Sequence, residues 1–287
     1  MSHGPNPWQQ TAWDWRAAGN FIGGGAGGGL IVFAALSHAL GGTANVQFAC
    51  GSVLVAGGLF CVWLEIGRPL RALNVFIHPR RSWMSREAIV ATLLLPSAIA
   101  AAAGVPGLAG VAALLALAFV YCQARILKAA KGIPAWRAPR VVPLIVATAL
   151  AEGGGLFLLS APAHGTASLP LLVLAGVLVL ARWGLWLGYR RQIERGTAPP
   201  ALAALDAAAR PLQWLGTLVP LLLIALAPVL ALLAGVAIDA PWPLAAAALG
   251  GFGALLAGAW FKYALITRAA FNQGFAIARL PVRGLRR

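Results

Sequence analysis

The chain has 287 residues, 60% of them hydrophobic and only 10% charged, with 22 Lys and Arg against 7 Asp and Glu and a mean hydropathy of +0.82. Soluble domains carry about 25% charged residues, which excludes a water-soluble fold of this length. The net charge of +15 sits in short connections between apolar runs and not on an extended basic region, so it does not indicate nucleic acid as a partner.

A helix crossing the hydrocarbon layer needs about 20 mostly apolar residues. Such stretches occur at about 17–38, 44–66, 87–104, 106–127, 141–160, 169–188, 211–234 and 242–264. They are long and rich in Ala, Leu and Gly, without the short alternating segments of a β-barrel. The expectation is an all-α integral membrane protein: one domain over 1–287 with a bundle of eight transmembrane helices. Ahead of the first span, "MSHGPNPWQQTAWDWRAAGN" has no basic region before an apolar core. It does not read as a cleaved signal peptide, and the first span is expected to stay. Within that span "GNFIGGGAGGGL" superficially suggests a phosphate loop, but it follows no strand and lies in a membrane helix. Small residues that let a neighbouring helix approach closely are the better account.

Eight spans put both termini on one side, with the connections after spans 2, 4 and 6. Every Lys and Arg falls on that side: Arg16 in the N-terminal arm, Arg68 to Arg86 around the second connection, Arg125 to Arg140 around the fourth, Arg182 to Arg210 around the sixth, and Lys262 to Arg287 at the end. The opposite side has "LGGT", "GVP", "APAHGTAS" and "VAIDAPW", with no basic residue. The positive-inside rule then predicts cytoplasmic termini in a multi-pass protein of the bacterial inner membrane. Trp63, Trp83, Trp136, Trp183, Trp186, Trp214 and Trp260 fall near the same face, as interfacial Trp does.

Haem and iron–sulfur clusters are not expected in this chain. Cys50, Cys61 and Cys122 are isolated, whereas a cluster needs about four Cys ligands, and they read as small hydrophobes. His3, His38, His78 and His164 offer no pair at matching depth within the spans. No P-loop, HExxH or Ser/His/Asp arrangement is found, and no metal site is expected.

The connection "WLEIGRPLRALNVFIHPRRSWMSRE" (63–87) concentrates polar chemistry between spans 2 and 3. Glu65 ends span 2 with Arg68 three residues on, on the same helical face. Gly67 and Pro69 end the helix, Ser85 is a candidate N-cap for span 3, and Glu87 lies in its first turn, where the dipole favours a carboxylate. One reading is a well-capped connection with positive-inside arginines. The other is a polar pocket at the bilayer edge, lined by Glu65, Arg68, Arg71, His78 and Glu87. It would suit a quinone, whose head group needs hydrogen-bond donors and nearby proton acceptors.

The same residues resemble the G-R-P … R-x-x-N … S-W-x-S-R-E pattern of the NrfD/DmsC (PsrC-like) group, the membrane subunits of molybdopterin and iron–sulfur oxidoreductases. The resemblance is strongest to the DmsC branch. It implies a cofactor-free anchor that exchanges electrons between ubiquinone or menaquinone and a partner's iron–sulfur cluster. The group's quinone-site residues map to Gly67, Arg71, Glu87 and position 65, often His there and Glu65 here; Arg68, His78 and Trp83 complete the candidate site. With the basic loops cytoplasmic, the iron–sulfur subunit and the molybdopterin subunit would dock on that side, over loops 67–86, 129–140 and 189–210. That is similar to the membrane subunits of sulfite dehydrogenases (SoeC type), so sulfite oxidation is the favoured reaction. Phenylacetyl-CoA-oxidising complexes and DMSO-reductase-like complexes are alternatives. From a different class, a small secondary transporter would also tolerate basic loops, but the opening motif has no internal repeat.

Further along, Glu152 in "TALAEGGGLF" is the only acid expected deep in the hydrocarbon, with Arg182 as a candidate partner. It reads as a structural ion pair or a protonated acid bonded to a backbone carbonyl, with a proton relay as the alternative. Tyr121, Gln123 and Arg125 read as packing or snorkelling groups, with lining the quinone cleft as the alternative.

Overall fold

The computed structural model describes residues 4–66, 69–164 and 168–275; the side chains of residues 69–71 and 164 lie outside the described set. The described residues are helical apart from connections and one isolated bridge, between Gln9 and Phe271. Among the described residues eight helices are long and apolar enough to cross a membrane: α1 Trp15–Ala39, α2 Asn45–Trp63, α3 Trp83–Ala102, α4 Leu108–Ala129, α5 Val141–Ala163, α6 Leu169–Ile193, α7 Pro199–Ala234 and α8 Pro241–Arg268.

Two boundaries differ from expectation for local reasons. Ser82, and not Ser85, caps α3: its side chain accepts from the Ser85 N–H at 3.3 Å, so the helix starts at Trp83 and Glu87 falls one turn inside it. α7 begins within the expected 189–210 loop. Pro199 and Pro200 occupy its first turn, where a missing N–H costs nothing, and Ala201, Leu205, Ala208, Ala209 and Leu212 then give a buried face at helical spacing.

α1 is the central helix, packed against α2, α4, α5 and α8. Its glycines make this geometry. A Cβ on Gly27 would lie 2.6 Å from the Gly51 carbonyl oxygen of α2, and one on Gly28 would lie 2.9 Å from Val120 of α4. On α5, Gly153 meets the backbone of Gly29 directly. Backbone-to-backbone approach of this kind replaces the hydrophobic drive that lipid removes. Gly153→Ala should therefore destabilise the protein by about 1–3 kcal/mol through overpacking. Gly57→Ala, which meets nothing within 4 Å, should be neutral or stabilising by up to about 1 kcal/mol. Detergent-denaturation curves of the two variants in micelles compare them directly.

Three spanning helices contain a π turn: Asn20–Gly24 in α1, Trp214–Leu218 in α7 and Ala264–Arg268 in α8. A π turn leaves carbonyls without their usual partner, and inside a membrane the protein itself must supply one. Here Gln123 donates to Asn20 O at 2.9 Å, Lys262 to Phe21 O at 2.7 Å, Arg182 to Gly216 O and Trp136 Nε1 to Leu265 O at 2.9 Å. Gln10 and Gln9 reach Ile266 O and Thr267 O.

The N-terminal arm and the segment after α8 lie together, with Gly4 N–H donating to Gln273 O at 2.7 Å and Asn272 N–H to Trp8 O at 3.0 Å. Two basic residues expected to mark the charged edge are instead inside the bundle: Arg182 and Lys262 are both 0% exposed. Lys262 is followed by "YALIT" before Arg268, so the apolar helix continues past it and carries the ammonium inward.

Candidate functional site

The end of α2, the start of α3, the start of α1 and the end of α4 meet around a cavity of about 190 Å³. Glu65, Asn20 and Glu87 are its polar groups, and Trp13, Phe21, Val62, Ile66, Met84 and Ile126 are among its apolar walls. Glu65 and Glu87 thus converge from the two ends of the charged connection. They do so because α2 and α3 are antiparallel neighbours, and because the early start of α3 draws Glu87 inward.

The two carboxylates have different surroundings. Glu87 is only 5% exposed and accepts from Asn20 Nδ2 at 3.3 Å. Asn20 is held in turn by Gln123, whose Nε2 lies 2.9 Å from Asn20 O and 3.4 Å from Asn20 Oδ1. Gln123 reaches this position because residue 24 is glycine: a Cβ there would stand 2.5 Å from Gln123 Nε2. The glycine-rich run therefore makes room for the amide network as well as for helix packing. Glu65 lies in the turn after α2 and is half-buried. Burial pushes its carboxyl above the usual value, the charge of Arg16 pulls it back, and Asp14 opposes Arg16.

Arg16 is fixed where it can do this. Its guanidinium pairs with Asp14 at 2.9 Å and donates to Leu64 O at 3.2 Å, tying α1 to the end of α2. Asp14 also caps α1 by accepting from the Arg16 N–H at 2.8 Å, and the hydrogen bonds from Arg16 hold its carboxyl below the usual range. Trp13 stacks on Trp136 with centroids 4.8 Å apart, so the N-terminal arm forms one wall of the cavity.

The other predicted site residues are distributed differently. Trp83 does not line the cavity; the Arg86 guanidinium lies 4.0 Å and that of Arg125 4.2 Å from its ring centre, with Tyr121 edge-on. Arg125 also donates to the Tyr121 hydroxyl at 2.6 Å. His78 is exposed beside Pro79, Arg80 and Arg81, away from the cavity. Arg71 falls in the short 3-10 helix Pro69–Phe76, with its side chain outside the described set, and Gly67 and Arg68 lie outside the described residues.

Sequence reasoning missed Asn20, Trp13 and Arg16, and gave Gln123 no partner. The available signal was Asn20 itself, an amide at the head of an apolar run where burial demands a hydrogen-bonded partner. Glu152 meets Lys262 of α8, with Nζ 2.6 Å from Oε2 and both side chains 0% exposed. The expected partner, Arg182, spends its hydrogen bonds on Ala254 O at 2.8 Å and on Gly216 O. It stands near Glu152, both lying beside Gly258, but among the described residues the ion pair of Glu152 is with Lys262.

No protein-family model matches this sequence, and no curated protein does.

Proposed function

We propose that the chain is the quinone-reactive membrane subunit of an oxidoreductase complex. The observation that carries this reading is the convergence of Glu65 and Glu87 on one cavity at the end of the bundle where the N-terminal arm meets the segment after α8. A ring-sized space with apolar walls, a hydrogen-bonding amide and two carboxylates meets the needs of a quinone head group, which must bind and exchange two protons. The likeness of residues 65–87 to the NrfD/DmsC pattern adds the electron-transfer role. In this reading the chain lies in the bacterial inner membrane with its basic end in the cytoplasm. An iron–sulfur subunit and a molybdopterin subunit cover that end, and no haem or cluster resides in the chain itself. Sulfite is the favoured substrate of the partner, with phenylacetyl-CoA-oxidising and DMSO-reductase-like complexes as alternatives.

Glu87 binds and passes protons at the cavity, Asn20 and Gln123 hold its carboxylate in place, and Glu65 with Arg16 forms the opposite polar wall. Bound quinone would supply the two-electron chemistry. The test is isolation from native membranes in mild detergent. The expected preparation contains iron and molybdenum, shows iron–sulfur signals by electron paramagnetic resonance, and has residues 72–86 and 129–140 protected from proteolysis. A chain that isolates alone with those loops open to protease defeats the proposal.

A secondary transporter is the second reading, favoured by the enclosed Lys262–Glu152–Arg182 cluster and the interrupted α1, α7 and α8. Isolation of the chain alone, with solute uptake in proteoliposomes, would favour it.

A further inference from the structure

The segment ahead of α5 and the turn after α6 meet just beyond the ends of those two spanning helices. Three side chains fix the first against the second. Tyr189 donates its hydroxyl to Ala135 O at 2.9 Å. Gln192 Oε1 accepts from the Arg140 N–H at 3.0 Å, and the Arg140 guanidinium donates to Gly188 O at 2.7 Å. Trp136 is buried and bonded to Leu265 O, while the next residue, Arg137, is left exposed.

A cavity of about 320 Å³ lies between the two segments. Pro134, Ile193 and Thr197 are its buried lining, and Arg137 and Gln192 are exposed at its mouth. No acid lines it. Thr197 is only 3% exposed, yet its Oγ1 has no partner. Buried hydroxyls nearly always have one, so this atom points to something bound in the cavity. A backbone N–H can only donate, so the oxygen of Gln192 must face Arg140, and its NH₂ group is left free. The Arg137 guanidinium has no hydrogen bond or ion pair among the described residues. The acids closest in this region are turned to Arg190: Asp206 pairs with it at 2.6 Å, and the charge of Glu194 acts on it.

A guanidinium, an amide NH₂ and a hydroxyl, all with unused donors and no acid beside them, suit a phosphate oxyanion. Two observations favour a phosphate carried by lipid. The cavity lies at the ends of α5 and α6, the level at which head groups sit, and basic pockets at that level take anionic head groups. From Gln192 one face of α6 then runs back along the span through Gly188, Gly184, Ala181 and Val177. The last three are exposed, and a Cβ on Gly184 would meet nothing within 4 Å, which leaves a shallow lane for an acyl chain.

We propose that this cavity binds the phosphodiester of an anionic phospholipid. Arg137 and the Gln192 amide donate to its oxygens at the mouth, the Thr197 hydroxyl donates from within, and an acyl chain follows the Gly188–Val177 face of α6. The lipid ties the start of α5 to the end of α6 and to the residue that precedes α7. The site is separate from the cavity of Glu65 and Glu87 and holds whatever that cavity binds.

The test measures binding of the first dioleoylphosphatidylglycerol to the full chain, by native mass spectrometry from neutral-detergent micelles. Dioleoylphosphatidylcholine, with the same phosphodiester and no net charge, should bind more weakly. Arg137→Gln should raise the Kd for the anionic lipid by about ten- to a hundredfold, the usual loss for a charge-assisted hydrogen bond. Arg191→Gln removes the same charge from an exposed residue outside the cavity and should change the Kd by less than about twofold. Thr197→Val keeps the shape and should raise the Kd by about three- to tenfold, and Thr197→Ser should restore it. In lipid-free micelles Thr197→Val should melt no lower than the wild type, because it removes an unmet buried hydroxyl, so its weaker binding is not a loss of fold. Unchanged binding in Thr197→Val, or equal losses in Arg137→Gln and Arg191→Gln, overturns the site. Inorganic phosphate is the second probe. If it protects the wild type from thermal unfolding as well as the lipid does, and fails to protect Arg137→Gln and Thr197→Val, the cavity belongs to a soluble phosphate and the lipid assignment is overturned.

Discussion

Glu87→Ala is expected to lower quinone-linked turnover of the assembled complex by a factor of about 10²–10⁴, the usual contribution of a positioned acid or base. Oxidation or reduction of the partner's substrate with an artificial dye should stay normal, because the dye bypasses the cavity. The separation follows from the geometry: Glu87 faces the cavity, is hydrogen-bonded by Asn20 and lies one turn inside α3. Glu65→Ala should act in the same direction with a smaller effect, since Glu65 is half-buried and its charge is already offset by Arg16. His78→Ala should leave quinone turnover unchanged, because His78 stands on an exposed surface outside the cavity wall. Normal quinone activity in Glu87→Ala would reduce the charged connection to helix capping and membrane topology.

Lys262→Ala should destabilise the protein by about 3–5 kcal/mol, the largest single-residue loss of stability expected here. The variant strands Glu152, which is 0% exposed and takes its ion pair from Lys262 at 2.6 Å, and it also frees the Phe21 carbonyl of the first π turn. Replacing both partners with apolar residues of similar volume, Glu152→Leu with Lys262→Met, should recover most of the loss because no charge is left unpaired. Denaturation in micelles, followed by helix circular dichroism, gives both differences. A double variant as unstable as Lys262→Ala would show that the pair is not what Lys262 contributes.

These expectations rest on sequence and structure to different degrees. The eight helices were readable because a membrane requires each span to satisfy its own backbone hydrogen bonds over a fixed length, a rule that acts locally. The glycine-rich run of α1 was read correctly as a packing surface, since small residues have few other uses in a span. Glu65 and Glu87 were legible as a pair because one short connection joins their helices. Helix starts were less legible. Ser82 and Ser85 have equal capping chemistry, and only the local fold selects Ser82. Residues 199–210 read as loop because their apolar face is narrow and diluted by alanine.

What the sequence determined by itself is therefore what depends on neighbours along the chain: the helical class, the eight membrane-length spans, and the closeness of residues 65 and 87. The tertiary structure decided which distant polar groups meet. Asn20 of α1 and Gln123 of α4 reach each other across Gly24, and Lys262 of α8 pairs with Glu152 of α5 beside Gly25, at sequence separations of 103 and 110 residues. No periodicity encodes such partners. They are selected because each buried donor or acceptor must find its counterpart inside the bundle, and because the glycines of α1 bring four neighbouring helices close enough to supply it.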